Sequence, residues 1–170
     1  MEECEAKREN LFCRWVEQHS GLIYRIVHGT AELPEEKNDL FQEILLQLWR
    51  SMPSFAGGCK ETTWIYRVAL NTARAWKRSE RRRKRKHREF AQFSEFQDSA
   101  EPPDPRLAQL YEAIRKMPKA QASLLVLHLD GLSYPEISEV LGVSEGCVAV
   151  RLTRAKRQLA DRLKGGSDGI

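Results

Sequence analysis

Apolar residues along this chain recur every three or four positions, and no run alternates in the manner of a strand. The spacing predicts a first helix over Ala6–His28 and a second from Pro34 to Arg50. Pro34 falls in the first turn of the second helix and Pro53 just beyond its end. Leu40, Phe41, Ile44, Leu45 and Leu48 form its apolar face. Pro and Gly-Gly make Met52–Glu61 (MPSFAGGCKE) a loop. A third helix follows, with Thr62 or Thr63 as its N-cap, and runs toward a basic stretch. Acidic residues and the PPDP cluster mark 91–105 as a flexible linker. Helical periodicity resumes at Arg106–Met117 and Lys119–Leu129, and two further segments reach Leu163; the tail at 165–170, GGSDGI, has the composition of a disordered end. The pattern therefore predicts an all-α chain of two small helical domains, 1–90 and 106–164, joined by a linker.

The most specific pattern is GLSYPEISEVLGVSEGCVAVRLTRAKRQL, Gly131 to Leu159. Ser133 and Glu136 have the spacing of a capping box and start a short helix, Tyr134–Leu141. Gly142 supplies the turn, Val143 plugs the core, and Ser144 caps the next helix. In that second helix Val148, Leu152, Ala155 and Leu159 fall at i, i+4, i+7 and i+11 and form the buried stripe. The opposite face carries Gly146, Val150, Thr153 and Arg157, flanked by Ala149 and Arg154. Small residues at the leading end with cations behind them suit a helix entering a DNA major groove. The plainer alternative is a helical hairpin with a solvated basic face.

Charge sharpens this picture. The net charge of +4 is modest, but Lys77–Arg88 reads KRSERRRKRKHR, nine Lys or Arg in twelve positions. Glu95, Asp98, Glu101 and Asp104 follow it. Such segregation points to a polyanionic partner. Just upstream lies TTWIYRVALNTARAWKR, Thr62 to Arg78, in which Arg67, Asn71, Arg74 and Arg78 share one helix face. On the second helix, Asp39, Gln42, Glu43 and Arg50 surround Leu46 on the side away from the apolar face. An outward Leu within an acid-amide patch is an interface arrangement more than a solvation one.

The N-terminal MEECEAKREN precedes no apolar run long enough for a signal peptide or membrane span, so a cytoplasmic protein without membrane insertion is expected. Cys4, Cys13, Cys59 and Cys147 are widely spaced and read as reduced thiols. Cys4, Cys13, His19 and His28 match no common zinc spacing, and neither metal nor cofactor is expected.

The Gly131–Leu159 segment resembles region four of bacterial extracytoplasmic-function (ECF) sigma factors, and NDLFQEILLQLWRSMPSF and TTWIYRVALNTARAWKR resemble their region two. Order, spacing and length agree from about Leu11 to Leu163. The resemblance implies a dissociable, non-catalytic subunit of bacterial core RNA polymerase that directs promoter-specific transcription initiation, often restrained by an anti-sigma factor. It assigns Asp39, Gln42, Glu43 and Leu46 to the polymerase clamp. It assigns Phe55, Gly58, Lys60, Trp64, Arg67, Asn71, Arg74 and Arg78 to recognition and melting of the minus-ten element. There cations hold phosphates, Asn71 can pair with a base edge or backbone, and the loop from Phe55 to Glu61 captures an extruded base. Trp64 is either a stacking wedge or a core residue, and Trp76 reads as packing. The minus-thirty-five duplex falls to Ser144, Glu145, Gly146, Cys147, Ala149, Val150, Arg151, Thr153, Arg154 and Arg157. Two departures stand out. Members commonly show Gly-Thr-Val-Lys/Arg-Ser-Arg where this chain has Gly146 to Arg151 as GCVAVR, and Ala75 replaces a usual Asp.

Two other classes fit parts of the pattern. A stand-alone helix-turn-helix regulator would need a homodimer surface and a palindromic site. A small helical nuclease would need clustered acidic ligands, and Asp39 with Glu43 has no third partner at helical spacing.

The apolar departure at Val150 generates a test. A thymine methyl is the one apolar group a base pair shows in the major groove. Val150→Ser is expected to weaken binding to a preferred upstream duplex by about 1 kcal/mol, measured by fluorescence anisotropy. Replacing the contacted thymine with uracil is expected to erase the difference between the two proteins. Equal losses on both duplexes would assign Val150 to a protein contact instead.

Overall fold

The structure, a computed structural model, describes the backbone of residues 2–88 and 104–165 and the side chains of 6–80 and 104–164. Among the described residues the regular elements are all helical. They are α1 (Glu2–His28), α2 (Pro34–Ser51), a single 3-10 turn (Met52–Ser54), α3 (Glu61–Arg88), α4 (Pro105–Arg115), α5 (Lys119–Leu129), α6 (Tyr134–Leu141) and α7 (Glu145–Gly165). The helical pattern is thus realised with small shifts at the ends. Thr62 and Thr63 lie inside the first turn of α3 rather than capping it, and the Trp64 amide already donates to the Lys60 carbonyl. Asp104 caps α4 through a 2.9 Å bond from the Arg106 amide, and Pro105 opens that helix, so the predicted linker gives up its last two positions. The rest of the linker and the tail from 166 lie outside the described residues.

Helices α1 to α3 pack as one module. Trp15, Ile23 and Ile26 of α1 meet Leu40, Ile44 and Leu48 of α2 and Ile65, Ala69 and Ala73 of α3, all buried. The predicted α2 face is therefore correct, with Phe41 and Leu45 half-buried at its margins. Arg8 ties the far end of α2 to α1, donating to the Trp49 carbonyl at 2.6 Å while its guanidinium sits 4.2 Å from the Trp49 ring centre.

The second module is α4 to α7. The stripe predicted for its last helix is fully enclosed: Val148, Leu152 and Ala155 have no exposed surface, and Leu159 closes the row. In α5 five consecutive residues, Ser123 to Leu127, are buried. A helix buried all round needs partners on two sides. One is α7; the other is the first module, with α6 against α3 and α5 against α1. A single apolar core runs through both modules, and Gly29, where α1 ends, faces Val126 and Ile114.

These burials set a contrast in stability. Leu125→Ala should cost roughly 2–5 kcal/mol in urea unfolding, because its side chain is enclosed and leaves a cavity. Leu46→Ala, at a position 41% exposed, should stay within about 0.5 kcal/mol of the parent.

Candidate nucleic-acid interface

The α6–α7 unit is built as its sequence requires. The Glu136 carboxylate accepts from the Ser133 amide at 2.9 Å and from its hydroxyl at 2.8 Å. Gly142 has φ of +67°, a conformation that costs glycine little and any side chain more. Ser138 then donates to the Val143 carbonyl at 2.5 Å, closing the turn, and Ser144 Oγ accepts from the Cys147 amide at 3.3 Å to cap α7. With its inner stripe enclosed, α7 turns Ser144, Glu145, Gly146, Val150, Arg151, Thr153, Arg154 and Arg157 to solvent, with Cys147 and Ala149 half-buried beside them. Val150 is 53% exposed, so it does not fill this module's core. The Thr153 hydroxyl folds back onto the Ala149 carbonyl at 2.9 Å, leaving its methyl and oxygen lone pairs outward.

The stripe on α3 is divided between two environments. Asn71 is exposed beside a groove shared with Glu43 and Gln47 of α2 and with Ala75 and Trp76. Arg78 is exposed as well. Arg67 and Arg74, at the other edge of the stripe, point to the second module instead. Arg67 grips the Glu139 carbonyl through Nη2 at 2.6 Å and Nε at 3.2 Å, and Arg74 Nη2 donates to Ser123 Oγ at 3.4 Å. Side chains of the basic run from Arg81 lie outside the described residues.

In the loop before α3, Phe55 is half-buried, its ring centre 5.3 Å from Trp15 and 5.7 Å from Trp64. Trp64 packs against the core with its indole N–H buried and without an acceptor. Its body therefore supports the loop in this structure. Gly57 has φ of +73°, and Gly58 has open space where a side chain would project. Lys60 is exposed and places Nζ 3.2 Å from Glu136 Oε1.

On α2, Asp39, Gln42 and Leu46 are exposed and Glu43 is half-buried, accepting from Gln47 at 2.8 Å. Tyr24 of α1, itself half-exposed, stacks on Phe41 with ring centres 4.7 Å apart, adding an aromatic surface that periodicity did not single out. Sequence reasoning also missed Arg25, Tyr66, Arg115 and Asp130. Asp130 precedes Gly131 and reads as a turn residue, yet its side chain is fully enclosed. It faces Arg25 and accepts from the Tyr66 hydroxyl at 2.6 Å. Burial raises the Tyr66 phenol to about 12, so it stays a donor. The signal was available in α5, whose SLLVL run leaves no polar face.

Two family models match the chain: Sigma-70 region 2 over residues 15–83 and Sigma-70, region 4 over residues 107–159. The ECF RNA polymerase sigma factor SigE of Mycolicibacterium smegmatis is 31% identical over 157 residues, covering 87% of this chain and 60% of that protein. The ECF RNA polymerase sigma-E factor of Haemophilus influenzae is 27% identical over 167 residues, covering 91% and 86%. Among solved structures, the sigma factor RpoE in complex with the anti-sigma factor NepR from Bartonella quintana aligns with a TM-score of 0.71 at 19% identity, over 90% of this chain and 96% of that one. CnrH in complex with the cytosolic domain of CnrY aligns at 0.67 and 20% identity, over 92% and 90%. These two likenesses establish a shared fold.

Glu136 offers a direct check on the cap. Its carboxylate is held at about 2, below the ordinary 4.5, first by the Ser133 amide, then by the Ser133 hydroxyl and Lys60. A carboxylate lowered by folding contributes stability above its unfolded pKa and loses it as pH falls through the folded value. The start of α6 should hold at pH 4.5 and loosen only as pH approaches 2. Carboxyl NMR titration should show this, and Ser133→Ala should move the midpoint up toward the ordinary value.

Proposed function

The chain belongs to the sigma-70 family of RNA polymerase sigma factors, in its ECF group, and from that premise we propose that it binds bacterial core RNA polymerase and directs promoter-specific transcription initiation. The observation that carries this reading is the coexistence on one chain of two exposed surfaces of opposite chemistry. One is the α2 patch of Asp39, Gln42, Glu43 and Leu46; the other is the α7 face with Val150, Arg151, Arg154 and Arg157. A stand-alone regulator has use for the second and none for the first.

In this assignment residues 1–90 form region two, 91–105 the linker, 106–164 region four, and 165–170 a tail. Region two docks on the polymerase clamp through α2. Asn71, Lys60, Arg67, Arg74 and Arg78, with the loop of Phe55 and Gly58 and the neighbouring Trp64, then hold the opened minus-ten strand. Cations take the phosphates, and Asn71, which both donates and accepts, takes a base edge or backbone. Region four lays α7 in the minus-thirty-five major groove. Gly146 and Ala149 allow close approach there, Val150 meets a thymine methyl, and the arginines fix the register on phosphates. Ala149 and Val150 in place of polar or cationic residues make this contact more apolar than is usual in the family. The chain positions DNA and polymerase and performs no bond-making itself. The two solved relatives are bound to an anti-sigma factor and to the cytosolic domain of a second protein, and an anti-sigma factor is proposed here too. No helix among the described residues is long and apolar enough to cross a membrane, and work on the polymerase places the chain in the cytoplasm.

Replacing Asp39, Gln42, Glu43 and Leu46 together with Ala tests the assignment. These side chains are exposed or half-buried, so helical content and thermal unfolding should persist. Co-purification with core polymerase should be lost. A folded quadruple variant that still binds core would remove α2 from the clamp.

A further inference from the structure

The helix-turn-helix module is docked on the very face of α3 assigned to the minus-ten strand. Three of the four cations given that role are engaged by it: Lys60 by the Glu136 carboxylate at 3.2 Å, Arg67 by the Glu139 carbonyl at 2.6 Å, and Arg74 by the Ser123 hydroxyl at 3.4 Å. These acceptors offer what a phosphodiester backbone offers, oxygens with partial or full negative charge. The Glu139 carbonyl lies in the last turn of α6, where carbonyls lack partners in their own helix. A guanidinium there meets the negative end of a helix dipole.

The docking is reciprocal. Arg115 of α4 donates to the His28 carbonyl at 3.0 Å and so caps α1 in the same way. Between the two caps sits Asp130, directly after the last residue of α5. A carboxylate at a helix C-terminus is unfavourable by itself. Arg25 and Tyr66, both from the first module, compensate it, and the side chain is left with no exposed surface. Its burial is therefore a consequence of docking.

We propose that this packed arrangement is an autoinhibited form, in which Asp130 latches the helix-turn-helix module over the strand-binding face of α3. The inference rests on the assignment of Lys60, Arg67 and Arg74 to DNA made above. It is selective: the outer face of α7 and the α2 patch stay exposed in the closed chain. The closed form keeps its duplex-reading and polymerase-docking surfaces and withholds the surface that holds a single strand.

Two variants of the full chain attack the contact from different sides. Asp130→Lys suits the end of α5 but sets a cation against Arg25. Gly29→Val forces methyl groups toward Val126, whose Cγ2 already lies 3.2 Å from where a Cβ would stand, and toward Ile114 at 3.8 Å. Small-angle scattering should show an increased radius of gyration for either. Binding of fluorescein-labelled single-stranded DNA of random sequence should tighten about tenfold, as expected if the competent form rises from a tenth of the population to nearly all of it. Affinity for an upstream duplex should not change. Adding Arg67→Ala and Arg74→Ala should erase the gain.

If neither variant expands the chain, the latch is refuted. Expansion without tighter single-strand binding would refute the inhibition. A gain that survives loss of both arginines would refute inhibition through them. The DNA assignment itself is read separately, from permanganate footprints of holoenzyme carrying Arg67→Ala and Arg74→Ala. Weakened promoter melting there upholds it, whatever the latch variants do. Should Asp130→Lys fail to fold, Gly29→Val alone decides the outcome.

Discussion

A carboxylate removed from water has to be met by charge and hydrogen bonds, and Asp130 is met by Arg25 and Tyr66 from the other half of the chain. That requirement fixes how the two modules meet. Removing one partner of a buried pair typically costs about 3–5 kcal/mol, because the other is left stranded. The contact also fixes orientation, since a guanidinium and a phenol must converge on one carboxylate at the end of α5. Around it, Arg67 and Arg115 cap helix ends of the opposite modules, so the polar part of the boundary is as directional as the apolar part is permissive.

The apolar part has its own logic. Helix α5 is enclosed from Ser123 to Leu127 and has no face suited to water. Docked between α7 and the first module, it buries both sides; in an undocked chain the side carrying Val126 would lie open. Close approach at Gly29 and the α5–α1 packing thus belong to the same constraint as Asp130. The cations of α3 serve two sets of oxygen acceptors, protein ones in this arrangement and phosphates in the proposed complex with DNA. An arginine fork suits either because both present planar or tetrahedral oxygens in water-poor settings.

The surfaces assigned to polymerase and to duplex DNA are of another kind. Leu46 and Val150 stand exposed at 41% and 53% in polar surroundings, while the stripes behind them are sealed. Fold and surface therefore vary independently. The chain keeps the fold of relatives with about a fifth of their sequence, and still carries Ala149 and Val150 where polar or cationic groups are common.

Much of this was legible without coordinates, because it depends on local rules. Ser133 and Glu136, Gly142 and Ser144 determine a cap, a turn and a second cap within a dozen residues. The 3.6-residue period of Val148, Leu152 and Ala155 then dictates which side of α7 faces outward. The α2 faces follow the same way. What the sequence did not disclose are contacts between residues far apart along the chain. Tyr66 looked like one more helical aromatic and Asp130 like a turn residue; only their convergence makes them a pair. The period placed Arg67, Asn71, Arg74 and Arg78 on one stripe, but a stripe is about a third of a cylinder wide, and its two edges met different neighbours. Asn71 opened onto the groove beside α2, while Arg67 and Arg74 met α6 and α5. Periodicity assigns a side chain to a face of its helix, and only packing decides what that face meets.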